Sequence, residues 1–498
     1  MMVSLLFALT LGAPFSDGAV VQRGCSVPVW GTADVGHSVS VSFAGQEKTV
    51  RVDEDGTWRV NLDPLAPSCE GRTLSVSERS RGFFIDSTIA KIAVKDVLVG
   101  EVWLASGQSN MECPLWSGSP RYRDGKGALM MAMTRLPLVR YVKVPKLWSL
   151  SPREQRAKWC AFVAGEFAPA ENGSTEYPSA LAFYYARELY LALGIPIGIV
   201  DASWGGTNID AWTPRSGYED CEEKIRATAD YVVKDEPSWK TEGEHVHPIS
   251  ALQQQPTVLW NGMVAAFAPM AVRGCIWYQG CHNSGEGDCY RAKMHALYNG
   301  WAREFANPNL KFYFVELAPY ADSWLDICSA QEKFADEQPN SAMAVTSDVG
   351  NFDDIHPNDK EIVAKRLAVH ALKRDYGFDI SEDCSPVFRS VEFKDGKAVM
   401  SFDHVKSWYV YARDRSHDAP FEVAGTNGVW EAAKILNFRH WTEKDGKTYY
   451  TDDLDGPRIV VASEKVKEPT RVRYMVRPRS AGTLYNEVDL PLGVFESR

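Results

Sequence analysis

The sequence predicts an α/β protein in three parts. A central domain over roughly residues 96–378, built on a parallel sheet, is flanked by all-β regions at 1–95 and 379–498. Three observations carry this. Five short apolar runs (Val102–Ala105, Ile197–Val200, Gly274–Ile276, Phe312–Val315 and Ala342–Val345) alternate with helical stretches, which points to parallel strands covered on both faces. The two ends instead show short strand patterns broken by frequent turns. At 498 residues the chain is also too long for one core.

In the first region, Val27-Pro28-Val29-Trp30-Gly31 and the alternating Val39-Ser40-Val41-Ser42-Phe43 read as strands. Asp53-Glu54-Asp55-Gly56 is a turn leading into Thr57-Trp58-Arg59-Val60. Short strands with many turns suit a sandwich or jelly roll. In the central region Ala180–Leu193 reads as a helix. A second helix follows Pro357: Asn358 with Glu361 resembles a capping box, Ile362, Val363, Leu367, Val369 and Leu372 supply an apolar stripe, and Gly377 is its stop. After about Asp379, Ala398–Phe402, Trp408–Tyr411 and Arg471–Tyr474 read as strands.

Composition narrows the function. With 45% hydrophobic and 24% charged residues the chain is an ordinary globular protein. A net charge of −11 argues against nucleic acid or an anionic membrane surface as partner. No apolar stretch reaches the ~18 residues of a membrane span. Ten cysteines are too sparse for a disulfide scaffold, and no CxxC pair suggests zinc or thioredoxin chemistry. Isolated thiols are expected, with one pairing among Cys275, Cys281 and Cys289 left open. Val3–Leu11 is apolar but lacks a basic leader and a clear cleavage site, which favours a cytoplasmic over an exported protein.

Four motifs follow the strand-like runs. Ser106-Gly107-Gln108-Ser109-Asn110-Met111 follows the first, and Asp201-Ala202-Ser203-Trp204-Gly205-Gly206-Thr207 the second. Trp277-Tyr278-Gln279-Gly280-Cys281-His282-Asn283 follows the third, and Asp354-Ile355-His356-Pro357 lies before the helix described above. Ligands of open α/β sheets bind at the carboxyl ends of the strands. A serine hydroxyl there needs a base, ordinarily a histidine oriented by a carboxylate; Ser109 and His356 fit those two roles.

Together with Phe15-Ser16-Asp17-Gly18, Val21-Gln22-Arg23, Phe421–Gly425 and Leu484-Tyr485-Asn486, these motifs resemble the sialate O-acetylesterase family of SGNH-hydrolase carbohydrate esterases, from about Phe15 to Phe495. The resemblance implies a flavodoxin-like three-layer catalytic domain and a serine acyl-enzyme route without metal or organic cofactor. Its expected substrate is O-acetylated sialic acid, with acetylated xylan or another plant polysaccharide as runner-up. Ser109 is then the nucleophile and His356 the base. The general SGNH pattern Asp-x-x-His selects Asp353 as the orienting acid, which reach also favours, whereas the family's Asp-Ile-His-Pro form selects Asp354. Oxyanion donors are expected from the Ser109 amide, an amide at Gly205 or Gly206, and a side-chain amide of Gln279 or Asn283. Glycines permit close backbone approach, and a Gln or Asn amide donates without titrating.

One departure stands out: Trp-Tyr-Gln-Gly is usually followed by Glu-Ser-Asn, and here by Cys281-His282-Asn283. Cys281 reads as a structural thiol and not a second nucleophile. His245-Val246-His247, after Glu242 and Glu244, matches no familiar metal motif and reads as a charged loop. Trp204, Trp212, Trp277 and Tyr278 suit either sugar stacking or core. An α/β-hydrolase is disfavoured because Met111 stands where its nucleophile elbow needs glycine. A catalytically inactive carbohydrate-binding relative is the alternative from another class, opposed by the retained serine, histidine and glycine pair.

Overall fold

A computed structural model describes the chain apart from residues 1–7, 81–86, 118, 120–122, 157, 165–176, 227–250, 322–323, 351–352, 411–420, 438–440, 445–446, 451–455, 477–483 and 498. It divides into two compact units, Met1–His282 with Ala292–Phe312, and Asn283–Arg291 with Tyr313–Arg498.

The first unit begins with strands β1 (Val20–Gln22), β2 (Val27–Thr32), β3 (Ser38–Phe43), β4 (Gln46–Arg51), β5 (Thr57–Leu62) and β6 (Ser68–Ser80). β2 pairs with β5, and β3 lies between β4 and β6, all antiparallel. β5 shows why these are strands: its residues alternate exposed and buried, placing Trp58, Val60 and Leu62 inward. Strand β7 (Ser87–Gly107) pairs antiparallel with β6 and then runs on into a different sheet. The expected border between residues 95 and 96 falls inside this one strand. A bulge marks it: two residues of β7 between Val94 and Val97 face a single residue of β6, and Asp96 has φ 57°. Arg140 donates to the Asp96 carboxylate at 2.8 Å and to its carbonyl at 2.7 Å, satisfying the backbone that the bulge leaves unpaired.

Beyond the bulge, β7 is parallel to β10 (Ile197–Ser203) and β11 (Gly274–Tyr278). β10 is parallel to β8 (Arg135–Lys143), and β9 (Cys160–Val163) closes the edge antiparallel to β8. The sheet is therefore mixed, where an all-parallel one was expected. Helices α1 (Ser109–Glu112), α2 (Gly127–Met133) and α3 (Ala180–Leu193) complete this part. α3 has the expected bounds: Ser179 caps it by accepting the Ala182 N–H at 3.1 Å, and Gly194 ends it in the left-handed region at φ 65°. It packs on β10 with Phe183, Tyr184, Tyr185 and Leu189 buried. Among the described residues no helix is long and apolar enough to cross a membrane.

The dividing line passes through α4 (Asp288–Glu304) and β12 (Lys311–Val315). In the second unit the end of β12 is followed by α5 (Leu325–Glu337), β13 (Ser341–Ala344) and α6 (Lys360–Arg374). Asp359, not Asn358, caps α6, its carboxylate accepting the Ile362 N–H at 3.3 Å. The buried face of α6 is Val363, Ala364, Leu367, Ala368 and Ala371, with Ile362, Val369 and Leu372 only half-buried. An apolar stripe set by large residues thus gives way to one set by small residues that allow close packing. A seven-stranded antiparallel sheet follows, with Val387–Lys394, Lys397–Asp403, Arg458–Ala462, Trp430–Ile435, Phe421–Ala424, Arg471–Tyr474 and Phe495–Glu496 in spatial order. Phe402, Phe421, Tyr474 and Phe495 form its aromatic core.

Candidate active site

In the first unit, the carboxyl end of β7 positions the serine. Gly107 has φ 136°, and a Cβ there would lie 2.3 Å from the Tyr278 carbonyl oxygen, so only glycine fits. The Gln108 N–H donates to that carbonyl at 3.0 Å, and the chain turns at once into α1, with half-buried Ser109 its first residue. Gln108 itself is buried, its Oε1 accepting N–H groups of Gly280 at 3.1 Å and His282 at 3.4 Å. It ties the serine turn to the loop after β11.

The loop after β10 comes against the same serine. A Cβ on Gly205 would lie 3.2 Å from Ser109 Cβ and 3.1 Å from a Glu112 carboxylate oxygen, so the Gly205 backbone sits directly beside the nucleophile candidate. The Gly205 N–H donates to Glu112 Oε2 at 2.5 Å, and Glu112 in turn pairs with Lys146. Gly206 has φ 70°. Thr207 pins the loop, donating through Oγ1 to the Trp204 carbonyl at 2.7 Å and accepting from Trp212 Nε1 at 3.0 Å. Beneath it, buried Asp201 accepts from Lys143 Nζ at 2.9 Å and Ser203 Oγ at 2.6 Å.

Gln279 is fully buried, and its Nε2 donates to the Thr207 carbonyl at 3.1 Å. Cys281 is a half-buried thiol at the start of a short 3₁₀ turn, and none of the ten cysteines forms a disulfide, Cys275 and Cys289 included. Burial pushes the Cys275 thiol well above its ordinary value. Trp212, Trp277 and Tyr278 are core, at most 1% exposed, and Trp204 is buried with Lys146 Nζ 5.9 Å from its ring centre. The first three are therefore not sugar platforms.

In the second unit, buried Asn283 donates through Nδ2 to Glu286 Oε1 at 3.0 Å. A carboxylate thus reaches this loop from Glu286, although the family's usual glutamate is absent. Asp354 and His356 form a tight local turn. Asp354 Oδ1 accepts the His356 backbone N–H at 3.0 Å and lies 3.1 Å from His356 Nδ1. The short reach held against Asp354 assumed an extended segment; the turn folds the carboxylate back onto the ring. Asp353 is exposed. The loop leaves β13 beside a fixed anchor: buried Arg366 makes a two-pronged pair with Asp348 at 2.7 and 2.8 Å, and Tyr485 Oη donates to the same carboxylate at 3.2 Å. Burial, then the Asp348 charge, push the Tyr485 hydroxyl up.

Residues 248–373 match the family described as carbohydrate esterase, sialic acid-specific acetylesterase. Sialate O-acetylesterases of Rattus norvegicus and Homo sapiens are each 28% identical over 80% of this chain, covering 78% and 77% of their own length. The crystal structure of a carbohydrate acetylesterase from Xanthomonas citri is 30% identical, covers 98% of this chain and 99% of its own, and superposes with a TM-score of 0.77. The chain belongs to the sialate O-acetylesterase family of carbohydrate esterases.

The family motifs single out Ser109, Gly205, Gly206, Gln279, Asn283, Asp354 and His356, but they do not reveal four residues that shape this carbohydrate esterase's serine turn. Gln108 lies inside the Ser106–Met111 motif and Glu112 directly after it, and their contacts, not their identities, were hidden. Asp201 opens the Asp201–Thr207 motif but was given no role there, and Lys146 carries no motif signal. Among the described residues two groups bring three possible ligands close enough to hold a metal ion: Asp34, His37 and Glu78, and Glu382, Cys384 and His404. Neither includes an expected site residue, and His37–Glu78 and His404–Glu382 contacts of 2.7 and 3.2 Å already pair them. His245 and His247 lie outside the described residues.

Proposed function

We propose that the protein is a serine esterase that removes O-acetyl groups from carbohydrate, with O-acetylated sialic acid as its substrate. It does so on an SGNH-type, flavodoxin-like catalytic domain. The observation that carries the reading is the serine turn: Ser109 opens a helix at the end of a sheet strand, with the backbone of a Gly-Gly loop packed beside it. The names of the relatives supply the substrate class, and acetylated xylan is the second choice.

In this mechanism Ser109 Oγ attacks the acetyl carbonyl carbon and passes its proton to His356 Nε2. The tetrahedral intermediate collapses, the sugar oxygen leaves with the proton returned by His356, and acetate remains as an ester on Ser109. Water, deprotonated by His356, then attacks that ester, and acetate leaves as His356 returns the proton to Ser109 Oγ. Asp354 orients the imidazole from Nδ1, the side on which its carboxylate lies, and Asp353 is the alternative acid. The oxyanion is held by the amides of Ser109 and of Gly205 or Gly206, with a side-chain amide from Gln279 or Asn283. The Gly205 amide already meets an anionic acceptor, Glu112, so an oxyanion bound there must replace that carboxylate. Gln279 has two amide hydrogens; one is committed to Thr207, and an oxyanion role uses the other.

The test is acetate release from O-acetylated sialosides and acetylated xylan by the parent protein and by Ser109→Ala. We expect release from the sialosides, none from the Ser109→Ala protein, and labelling of Ser109 by an organophosphate. Cys281→Ser should keep most activity. An acyl group found on Cys281, or undiminished turnover by Ser109→Ala, overturns the mechanism. No release from any acetylated glycan favours a carbohydrate-binding protein.

A further inference from the structure

At the amino ends of the strands, on the opposite edge of the sheet from Ser109, the first unit has a second concavity. It is an open groove of about 460 Å³ between the strand region Gln22–Pro28, Arg59–Asn61 and the segments that precede β11 and β12. That volume falls within the range of small-molecule sites. Arg23, Arg59, Arg273 and Lys311 line it, with Asn61 and Asn309, and among the described residues no carboxylate does. Four cations facing one groove are unexpected in a chain of net charge −11.

The groove is built rather than incidental. Glu101 is fully buried beneath it, and its carboxylate accepts from Arg23 Nε at 2.5 Å, from Arg273 Nε at 3.0 Å and Nη2 at 3.3 Å, and from Gln22 Nε2 at 2.9 Å. One buried anion therefore fixes two guanidinium groups in place. It offsets one of the two guanidinium charges, and Arg59 adds a further positive charge to the wall. Guanidiniums held this way lose little freedom when they meet a planar anion, and their fork geometry suits a carboxylate. Arg59 is oriented by its Nε bond to Asn61 Oδ1 at 3.2 Å. Asn61 and Asn309 side chains bring amides suited to sugar hydroxyls, and buried Phe305 gives the groove an apolar patch.

We propose that this groove is a non-catalytic binding site for a carboxylate-bearing sugar residue, a sialic or uronic acid of the glycan on which the esterase acts. The choice of a saccharide over another carboxylate rests on the proposed function; the anionic character rests on the groove alone. It would hold an acidic glycan to the protein at a point remote from the serine turn.

The test is calorimetric titration of the full-length protein at low ionic strength with N-acetylneuraminic acid and glucuronic acid. Glucose, acetate and inorganic phosphate serve as comparators, and R59E/K311E as the variant. Both substituted residues are remote from Ser109, so turnover of a chromogenic acetyl ester reports separately on the esterase and on folding. We expect the acidic sugars to bind the parent at least ~10-fold more tightly than glucose or acetate. The variant should bind them at least ~10-fold more weakly than the parent while ester turnover stays within about two-fold. Unchanged affinity in the variant overturns the proposal, as does equal binding of glucose. Phosphate or acetate binding as tightly as the sugars makes the groove a simple anion site and also overturns it. Absence of ester turnover in the parent would count against the esterase reading alone.

Discussion

At the scale of single residues, the decisive contact is between Asp354 and His356. A serine is activated only if the imidazole keeps one nitrogen protonated and the other directed at the hydroxyl. Asp354 meets Nδ1 at 3.1 Å and also accepts the histidine's own backbone N–H, so one carboxylate fixes both ring and main chain. Asp354→Asn can place its amide hydrogens toward Nδ1 and so select the wrong tautomer. Its kcat on a chromogenic acetyl ester should fall by up to about 10⁴. Asp353→Asn, at an exposed position, should lower kcat by no more than a few-fold. Steady-state kinetics of the two variants decide the matter: the reverse ranking assigns Asp353, and small losses in both leave a Ser109–His356 dyad.

At the scale of elements, the serine turn depends on how closely β7 and β11 approach. Gly107→Ala would put a methyl carbon 2.3 Å from the Tyr278 carbonyl and force φ 136° on a residue with a side chain. We expect a loss of roughly 2–4 kcal/mol of stability, or a displaced Ser109 with activity lost, since strain and backbone overlap are among the few causes of large effects. Urea unfolding alongside acetyl release would show it, and a stable, fully active variant would contradict this account of the turn. The same elements show what a sequence reveals. The five apolar runs became β7, β10, β11, β12 and β13 because strands buried on both faces are apolar along their length. β8 went unread because Pro137 and Arg140 interrupt its pattern, and Arg140 is accommodated by pairing with Asp96 at the bulge and donating to the Gly18 carbonyl. Asn358 and Asp359 are both capping residues; which one caps is set by backbone dihedrals that composition does not encode. Ser109 and Gly205 are legible as motifs. The bonds that arrange them join residues 93 apart, from Gly205 to Glu112, and 172 apart, from Gly280 to Gln108. No local pattern specifies such pairs.

At the scale of the whole molecule, a chain of net charge −11 has little to gain from another buried anion. Glu316 nevertheless lies just past the end of β12, 2% exposed, accepting the Thr346 N–H at 3.2 Å. Burial pushes its carboxyl from 4.5 up to about 8, against the pull of backbone hydrogen bonds from Thr346 and Val494. The folded chain therefore holds a proton there that the unfolded chain releases. Between about pH 4.5 and 8 the unfolded state binds fewer protons, so this group makes stability fall as pH rises, and above pH 8 its full cost is present. Glu316→Gln removes the ionisation and keeps an acceptor for Thr346. The variant should melt a few degrees above the parent at pH 8.5, with the advantage shrinking to nothing or reversing at pH 5. Thermal unfolding of both proteins across that range checks it. A gap that does not change with pH would mean that Glu316 stays charged in the folded protein and that its burial is offset by hydrogen bonds rather than by a proton.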